Sequence, residues 1–288
     1  MKVYLIGHKG WIGNMYQKLF KKNNIQYCFS EYRGESENIR QDILKQNITH
    51  VLCCMGRTHG TRDGVKYTTI DYLQDNSVLK ENINDNLYVP LSLALFCDKY
   101  NLHFTYIGTG CIYSYNNIHK INGHGFTEDD IPNFFNSNYS TVKGYTNELM
   151  KFTNALTLRI RMPITSCTSP RNFITKITNY EKICSINNSM SVLDELLPLS
   201  IMMMKNKDKG LYNFTNPGHI SHNEILQMYK DIVDNHFTWS NFTIEEQDTI
   251  LLSGRSNNYL DTTKLTQKYQ VDNIHTAVNK IMKKMKKK

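Results

Sequence analysis

The stretch Gly7-His8-Lys9-Gly10-Trp11-Ile12-Gly13 decides the fold of this 288-residue chain. It has GxxGxxG spacing and lies directly between a short apolar run, Lys2–Ile6, and an amphipathic stretch. Glycines in that position permit a tight turn, let the backbone approach a pyrophosphate, and seat the following helix, whose N-terminus attracts phosphate. The stretch therefore predicts a dinucleotide-binding βαβ unit. Its predicted cofactor contacts are Gly7, Lys9, Gly10, Trp11, Ile12 and Gly13.

Short β-rich runs alternate with amphipathic stretches along the first half of the chain, a pattern typical of βαβ units and a parallel sheet. The predicted strands are Lys2–Ile6, Gln26–Ser30, Thr49–Met55, Leu102–Gly108, Leu156–Met162 and Gly210–Asn216. The predicted helices cover about Gly13–Asn23, Asp42–Gln46, Asn86–Tyr100 and Thr141–Phe152. The sequence thus predicts an α/β fold: a Rossmann-type doubly wound parallel sheet with a smaller C-terminal substrate-binding lobe.

The pattern becomes less regular after Pro163, where Asn, Thr and Ser grow more frequent. We therefore expect an NADP-binding Rossmann domain over residues 1–162, with a returning segment near 190–230. The remainder, 163–288, is expected to form mainly the substrate lobe, interleaved with the first domain.

Composition excludes several classes of protein. Hydrophobic residues make up 40% and charged residues 21% of the chain, as in ordinary globular enzymes, and no apolar run approaches the ~20 residues of a membrane span. The net charge of +8 lies largely in the tail Lys283–Lys288, which we interpret as a frayed helix end, so no nucleic acid is expected. Seven cysteines without zinc-ligand spacing, and His219 and His222 without a third ligand, predict a reducing, cytoplasmic location and no metal.

The residues after the second predicted strand, Ser30-Glu31-Tyr32-Arg33, bear on the choice of cofactor. An acidic residue here binds the ribose hydroxyls of NAD, whereas Arg33 with Ser30 would hold the 2′-phosphate of NADP. A guanidinium matches phosphate geometry well, which favours Arg33 and NADPH. Glu31 keeps NADH open as an alternative.

A tyrosine and a lysine lie four residues apart in Tyr139-Ser140-Thr141-Val142-Lys143, and hence on one face of a helix. A nearby ammonium can lower the pKa of a tyrosine hydroxyl, and the lysine can also hold the nicotinamide ribose. About thirty residues upstream, a predicted strand ends in the hydroxyl of Thr109. Glycine loop, strand-end threonine and YxxxK, in that order, form the layout of the short-chain dehydrogenase/reductases.

Several further stretches carry a more specific resemblance: GTGCIYSY, FTEDDIPNFFNSNYSTVK, LRIRMPI, PRNFITK, NSMSVLDELLPLSI, NFTNPGHISHNEIL and RSNN. Over essentially its full length, the chain resembles the bifunctional 3,5-epimerase/4-reductases that make UDP-L-rhamnose. It is similar, more distantly, to the dTDP-4-dehydrorhamnose reductases.

The resemblance implies two sets of catalytic residues. In the reductase set, Tyr139 donates a proton to the C4 oxygen, Thr109 binds that oxygen, and Lys143 lowers the tyrosine pKa. In the epimerase set, Cys111 and Lys176 serve as base and acid for the C3 and C5 protons, and which of the two is the base stays open. Without the resemblance, Cys111 would be interpreted as a core cysteine and Lys176 as a surface lysine.

The resemblance also implies ligand contacts. Further cofactor contacts are Asp42 and Ile43 near the adenine, Gly56 and Arg57 in the turn after the third strand, Asn86, Tyr139 and Lys143, and Met162 with the next two residues beside the nicotinamide. Contacts to the sugar nucleotide are Arg171, Asn172, Phe173 and, for the diphosphate, Arg255. The turn at Gly56 departs from the family pattern because Cys54 and Met55 stand where small residues are usual.

The resemblance finally implies an activity and its partners. The chain would convert UDP-4-keto-6-deoxy-D-glucose to UDP-L-rhamnose by 3,5-epimerisation and NADPH-dependent reduction of the C4 ketone. We expect a separate 4,6-dehydratase upstream, and a homodimer remains open, as does UDP against dTDP. The alternatives are a 4-reductase without epimerase activity and a non-catalytic regulatory subunit of the same fold.

Overall fold

The structure, a computed structural model, describes residues 1–29 and 31–286. Within these residues, six strands form one sheet in the order β2-β1-β3-β6-β7-β9, and β2, β1, β3 and β6 pair in parallel. The strands are β1 (Lys2–Ile6), β2 (Gln26–Cys28), β3 (His50–Cys53), β4 (Gly60–Arg62), β5 (Val65–Tyr67), β6 (His103–Thr109), β7 (Leu156–Ile160), β8 (Lys182–Ile183), β9 (Gly210–Asn213) and β10 (Ser240–Asn241). This sheet confirms the predicted α/β fold of the Rossmann type.

Helices follow most of the sheet strands. They are α1 (Trp11–Lys22), α2 (Glu37–Lys45), α3 (Leu79–Ile83), α4 (Val89–Lys99), α5 (Asn138–Met150), α6 (Phe173–Ile177), α7 (Leu193–Lys205), α8 (His222–Ile232), α9 (Ile244–Ile250), α10 (Thr263–Thr266) and α11 (Ile274–Lys286). Short 3₁₀ turns cover Ile70–Gln74 and Asn76–Val78, and a wide π turn covers Asn84–Tyr88. No helix among the described residues is long and apolar enough to cross a membrane.

The chain divides into two compact units whose segments alternate in sequence. The first unit comprises Met1–Ile112, Phe134–Leu158 and Ser200–Leu211. The second comprises Tyr113–Asn133, Arg159–Leu199 and the chain from Tyr212 onward. Strands β7 and β9 each have residues in both units.

The first unit is built around the apolar strands β1, β3 and β6. Tyr4, Val51 and Phe104 from these strands are 0–1% exposed and pack with Ile39 of α2 and Leu93 of α4. Each such side chain contributes about 1.5–3 kcal/mol by leaving water. The sheet order reverses between β1 and β3, the position where open α/β sheets bind ligands at the carboxyl ends of their strands.

The second unit has a separate apolar core. Ile174 of α6, Ile225 of α8, and Ile274 and Ile281 of α11 are 0–1% exposed and pack together. The capping box Ser221/Glu224 fixes the start of α8. Helix α11 continues through Lys286, so the first part of the basic tail is helical; the last two lysines lie outside the described residues.

The observed element boundaries differ from the predicted ones mainly at caps. Helix α1 begins at Trp11, two residues earlier than predicted, because Gly10 is its N-cap. Helix α2 begins at Glu37, five residues earlier than predicted, because the side chain of Ser36 accepts a hydrogen bond from the amide of Asn38. The hairpin β4–β5 was not predicted, although its turn, Asp63-Gly64, has the positive φ values (50° and 75°) that favour this dipeptide.

Two histidines are buried side by side in the sheet of the first unit. His50 on β3 and His103 on β6 are 4% and 7% exposed, and their ring centroids are 5.0 Å apart. His50 bonds Thr49 Oγ1 at 2.8 Å, and His103 Nε2 lies 3.2 Å from Thr105 Oγ1. Burial lowers the pKa of each histidine to about 4, so both are neutral in the folded protein at neutral pH.

This pair predicts acid lability. The folded pKa of each histidine lies below its unfolded value near 6.5, so its contribution to the free energy of unfolding is fully present above about pH 6.5 and is lost as the pH falls toward 4. The loss is about 2 kcal/mol per histidine at pH 5. The loss is measured by urea unfolding of the wild-type protein and of His103→Gln at about pH 7.5, above the unfolded pKa, and at about pH 5, between the unfolded and folded pKa values. We expect the variant to lose less stability between the two pH values than the wild type. The exposed His236→Gln is the control, and an H103Q profile identical to that of H236Q would contradict the prediction.

Candidate functional site

The glycine loop occupies the turn between β1 and α1. Gly7 has a φ of +81°, and a Cβ on it would lie 3.0–3.1 Å from the backbone that follows β3. A Cβ on Gly13 would lie 2.2 Å from the Gly7 carbonyl oxygen, so only glycine permits this approach of helix to loop. Gly10 is exposed, and no side chain caps the helix that starts with the half-buried Trp11 and Ile12. The first amides of α1 therefore face a position that suits a pyrophosphate.

Exposed charges lie on the loop and after β2. Lys9 pairs with Glu31, and this hydrogen bond holds the pKa of Glu31 below its usual value. Arg33 forms an ion pair of 2.9 Å with Glu35. Ser30, predicted to assist Arg33, lies outside the described residues. The acidic and the basic candidate for cofactor discrimination thus each have a partner of opposite charge.

Thr109, Cys111 and Tyr139 lie together where β6 ends. The Tyr139 hydroxyl is hydrogen-bonded to the Thr109 side chain, and the Cys111 amide donates to Thr109 Oγ1 at 3.1 Å. Burial raises the pKa of Tyr139 above its usual value, and a negative charge on Cys111 would raise it further. Tyr139 is therefore held protonated at neutral pH, with the half-buried thiol of Cys111 packed against the same apolar cluster.

Lys143 lies one helical turn after Tyr139 on α5 and is 5% exposed. Its Nζ donates to the hydroxyl of Tyr106 and lies 4.8 Å from the centroid of that ring. Burial lowers the pKa of Lys143 to about 8. The predicted lowering of the Tyr139 pKa by Lys143 is not seen in this structure, because burial dominates the Tyr139 pKa and the ammonium contacts Tyr106 instead.

The turn after β3 lies beside Lys143. A Cβ on Gly56 would be 3.5 Å from Lys143 Nζ and 3.3 Å from Asn86 Oδ1. Asn86 is fully buried and exchanges two 3.0 Å hydrogen bonds with the backbone of Arg57, so it holds this turn in place. The Arg57 Nε donates to Asp85 at 2.6 Å. The predicted cofactor residues Gly56, Arg57 and Asn86 are thus brought together with Lys143, and the Asn86 amide serves the turn.

Asp42 and Ile43 were predicted to lie near the adenine. Both residues lie on α2. Ile43 is 1% exposed and packs in the core with Ile39, so its side chain is not accessible to a ligand. The Asp42 carboxylate accepts a hydrogen bond of 3.4 Å from Tyr4.

In the second unit, the structure brings three predicted cations together. Lys176 on α6 is half-buried, and its pKa is lowered by burial and by the positive charges of Arg171 and Arg255. The guanidinium of Arg255 donates to the carbonyl of Ser253 at 2.8 Å, and this hydrogen bond holds the guanidinium in place. Together the three cations form a local positive field suited to a diphosphate.

Three other predicted contacts of the second unit have different surroundings. Asn172 is fully buried, and its side-chain amide bonds the backbone of Thr165 and Cys167, so it closes a loop; its contact with the sugar nucleotide stays a prediction. Phe173 packs partly on the apolar core. Met162, which follows β7, has a φ of +38°, a backbone conformation that is strained for any residue other than glycine. Strain of this kind is common where a backbone is shaped for a ligand.

Sequence reasoning missed the aromatic surroundings of Tyr139. Tyr72 and Leu73 form a buried cluster with Tyr139, against which Tyr67 of the hairpin and Cys111 pack. The hairpin is held by Arg62, whose guanidinium donates to the Tyr67 hydroxyl at 3.0 Å and pairs with Asp75 at 3.2 Å. The Asp63-Gly64 turn was the signal that could have predicted the hairpin. Tyr106, the partner of Lys143, gave no signal, because the direction of a side chain within a strand end depends on tertiary packing.

The fold and these positions define a class. A glycine loop at the sheet reversal, a strand-end Thr109 bonded to Tyr139, and Lys143 one turn further on are the parts of a Rossmann-type reductase of the extended short-chain dehydrogenase/reductase type. Among the described residues, no group of three or more His, Cys, Asp or Glu could hold a metal ion.

Comparison with known proteins makes the class specific. A scan against models of protein families finds no match. The chain is 47% identical over 290 residues to the uncharacterised protein L780 of Acanthamoeba polyphaga mimivirus, covering 99% of both chains. It is 44% identical over 269 residues to the bifunctional dTDP-4-dehydrorhamnose 3,5-epimerase/dTDP-4-dehydrorhamnose reductase of Arabidopsis thaliana, covering 92% of this chain and 86% of the relative. The chain belongs to this family of bifunctional 3,5-epimerase/4-reductase enzymes, which confirms the resemblance.

A longer relative and two solved structures complete the comparison. The chain is 42% identical to a trifunctional UDP-glucose 4,6-dehydratase/UDP-4-keto-6-deoxy-D-glucose 3,5-epimerase/UDP-4-keto-L-rhamnose-reductase of Arabidopsis thaliana, covering 93% of this chain but 40% of the relative. The crystal structure of the L780 UDP-rhamnose synthase superposes with a TM-score of 0.94 over 99% of both chains. The dTDP-4-dehydrorhamnose reductase of Bacillus anthracis, solved in complex with NADP, has a TM-score of 0.76 at 13% identity over 97% of this chain and 96% of that one, which supports the fold alone.

Proposed function

We propose that this chain converts UDP-4-keto-6-deoxy-D-glucose to UDP-L-rhamnose, by epimerisation at C3 and C5 followed by reduction of the C4 ketone. The observation that carries the proposal is the meeting of Thr109, Cys111 and Tyr139 at the end of β6. These residues offer a proton donor for a ketone oxygen and a thiol that can exchange protons with the carbon atoms next to the ketone.

The reduction requires a proton donor and a fixed carbonyl. Tyr139 is protonated because burial raises its pKa, and its hydrogen bond to Thr109 orients the hydroxyl. In our proposal Thr109 also bonds the C4 oxygen, so that Tyr139 delivers its proton to that atom as negative charge develops there. A bound nicotinamide dinucleotide supplies the hydride for C4. Lys143 adds positive charge beside the turn at Gly56.

Epimerisation uses the same ketone before it is reduced. The C4 carbonyl acidifies the hydrogens on C3 and C5, so a base removes one of them and an acid returns a proton to the opposite face. We assign these roles to Cys111 and Lys176. The lowered pKa of Lys176 suits an acid that must give up its proton near neutral pH. A thiolate at Cys111 would raise the pKa of Tyr139 and so keep it protonated during epimerisation, before it gives up its proton in the reduction.

The residues present fit a nicotinamide dinucleotide. The uncapped start of α1 suits its pyrophosphate, and the loop glycines let the loop fold closely onto the helix, because a Cβ on Gly7 or Gly13 would meet backbone atoms. We propose that Lys9 and the backbone of Gly10 through Gly13 hold the phosphates, with the Gly56–Arg57 turn and Lys143 beside the nicotinamide half and Met162 nearby. Arg33 would hold a 2′-phosphate, which favours NADPH over NADH.

The cofactor preference is testable at two oppositely charged positions. Arg33→Gln should lower the ratio of NADPH to NADH affinity by about fivefold, because it removes a cation near the 2′-phosphate, and Glu31→Gln should raise the ratio by about as much. Both dissociation constants can be measured by cofactor fluorescence. Lys18→Gln, which removes an exposed charge on α1, is the control. Equal ratios in all three variants would contradict the assignment of Arg33 and Glu31.

For the sugar nucleotide, we propose that Arg171 and Arg255 bind the diphosphate. Their charges already influence Lys176, so an anion bound by the two arginines would lie close to the proposed acid. Phe173 is half-buried and offers an apolar surface beside them. The nucleotide is proposed to be UDP rather than dTDP, as named for the L780 structure.

Two partners are proposed. The trifunctional relative carries a 4,6-dehydratase in addition to the part that matches this chain, so we propose that a separate dehydratase supplies the 4-keto substrate.

We also propose a homodimer formed through helices α4 and α5. Leu95, Tyr145 and Phe152 on or just after these helices are 53%, 58% and 83% exposed, an apolar surface that a second copy would cover. The free cysteines of the described chain fit a reducing, cytoplasmic location.

One experiment tests the reaction. The protein is incubated with UDP-4-keto-6-deoxy-D-glucose and NADPH in deuterated water, and the sugar is identified by NMR; a parallel sample carries the dTDP-linked substrate. We expect L-rhamnose labelled with deuterium at C3 and C5, formed faster from the UDP substrate. A D-configured product without label would indicate a reductase alone, and unreacted substrate would indicate a non-catalytic protein; either would overturn the proposal.

A further inference from the structure

The ammonium of Lys143 is buried with an aromatic hydroxyl as its acceptor. Lys143 is 5% exposed, and Tyr106, three residues before Thr109 on β6, is 2% exposed. Lys143 Nζ donates to the Tyr106 hydroxyl and lies 4.8 Å from the ring centroid. The Tyr106 hydroxyl oxygen is therefore the acceptor for the cation, which lies beyond the edge of the ring rather than over its face.

The other groups that face Lys143 are weak partners for a cation. Burial raises the pKa of the Cys53 thiol on β3 to about 11, so at neutral pH this thiol carries no negative charge to pair with the ammonium. Gly56 presents only backbone atoms to Lys143. Tyr139, which lies on α5 with Lys143, is protonated and hydrogen-bonded to Thr109. Within the described residues, no ion pair joins Lys143 to a carboxylate. A buried ammonium without an acceptor would lose its proton readily, because burial penalises the charged form.

We propose that Tyr106 is a positioning residue for Lys143: the Tyr106 hydroxyl keeps the Lys143 ammonium charged and directed to the turn at Gly56. The proposal rests on the proposed reductase role of Lys143. Burial lowers the pKa of Lys143 to about 8, so the loss of its proton falls at mildly alkaline pH. The raised pKa of Tyr139 means that loss of activity at alkaline pH reports Lys143 first.

The test compares two buried tyrosines of the first unit. Tyr106→Phe removes the acceptor and keeps the ring, and Tyr16→Phe removes another buried hydroxyl, bonded to Ser200 at 2.6 Å, far along the chain from Lys143. We expect the alkaline limb of the kcat/KM profile to move to lower pH by about one unit in Y106F, because a hydrogen bond to a charged group is lost, and not to move in Y16F. A merely structural role would lower Tm in both variants without moving either limb.

A second measurement does not depend on turnover. The pH dependence of Lys143 acetylation by acetic anhydride, followed by peptide mass spectrometry in the protein without cofactor, should have a midpoint near 8 that falls in Y106F and not in Y16F. If this midpoint shifts while no nucleotide sugar is turned over, the Tyr106 proposal stands and the proposed function fails. If Y106F does not fold, 3-fluorotyrosine at position 106 weakens the acceptor without changing the packing, and the same shift is expected. Equal midpoints in all proteins would overturn the proposal.

Discussion

Replacing Tyr139 with phenylalanine is expected to lower kcat for ketone reduction by about 100- to 10,000-fold, the usual contribution of a general acid. The side chain is 8% exposed, protonated because burial raises its pKa, and hydrogen-bonded to Thr109, so no water can readily replace its hydroxyl. NADPH oxidation with UDP-4-keto-6-deoxy-D-glucose measures the loss. The substitution removes only one oxygen, so NADPH affinity should change little.

The same variant separates reduction from epimerisation. Because Cys111 and Lys176 are unchanged, Y139F should still incorporate deuterium at C3 and C5 from solvent, and the unreduced ketone should accumulate label. Tyr145→Phe is the matched control, since Tyr145 lies on the same helix and is 58% exposed. A Y139F protein that reduces the ketone as fast as Y145F would exclude Tyr139 as the proton donor.

The parts of the fold that could be predicted are those governed by local sequence. The loop from Gly7 to Gly13 follows a strand and starts a helix, and the need for glycine at both ends is visible in the 2.2 Å approach of a Cβ on Gly13 to the Gly7 oxygen. The spacing of Tyr139 and Lys143 likewise follows from helical geometry. Such features are encoded within a few residues, and the structure reproduces their positions.

The parts that could not be predicted depend on which side chains meet across the fold. Lys143 was expected to act on Tyr139, its neighbour on α5, but its ammonium contacts Tyr106 on β6. The side chain of Ile43, a residue predicted to lie near the adenine, packs in the core, which its place in the sequence did not indicate. Asn172 is polar and adjoins Arg171, yet its amide is used by its own loop. Sequence order gives the residue types at a site, whereas tertiary packing decides which atoms face it.

The apolar cluster around Tyr139 shows how the hairpin contributes to the site. Tyr67 and Tyr72 pack beside Tyr139 and Cys111, and their ring centroids are 6.2 Å apart. Such a wall limits the access of water to the hydroxyl and the thiol. Low access of water strengthens the hydrogen bond of Thr109 to Tyr139 and favours proton transfer to substrate over exchange with solvent.

Substitution of Cys111 by alanine, or of Lys176 by methionine, is expected to lower deuterium incorporation at C3 and C5 by about 100-fold or more, because each removes one of the two proposed acid–base groups. Cys111→Ala leaves Thr109 and Tyr139 in place, and Lys176→Met keeps the length of the apolar stem. Both variants should therefore still reduce a substrate that has already been epimerised, UDP-4-keto-L-rhamnose, at a rate within a few-fold of the wild type.

Matched controls make this second result specific. Cys167→Ala changes an exposed cysteine of the second unit, and Lys182→Met changes an exposed lysine on β8. Neither should alter labelling or reduction. Because Arg171 and Arg255 lower the pKa of Lys176, Arg255→Gln should raise that pKa and move the labelling profile to higher pH, besides weakening substrate binding. If C111A and K176M label C3 and C5 as fast as the controls, the two residues take no part in epimerisation, and the enzyme acts only on the ketone.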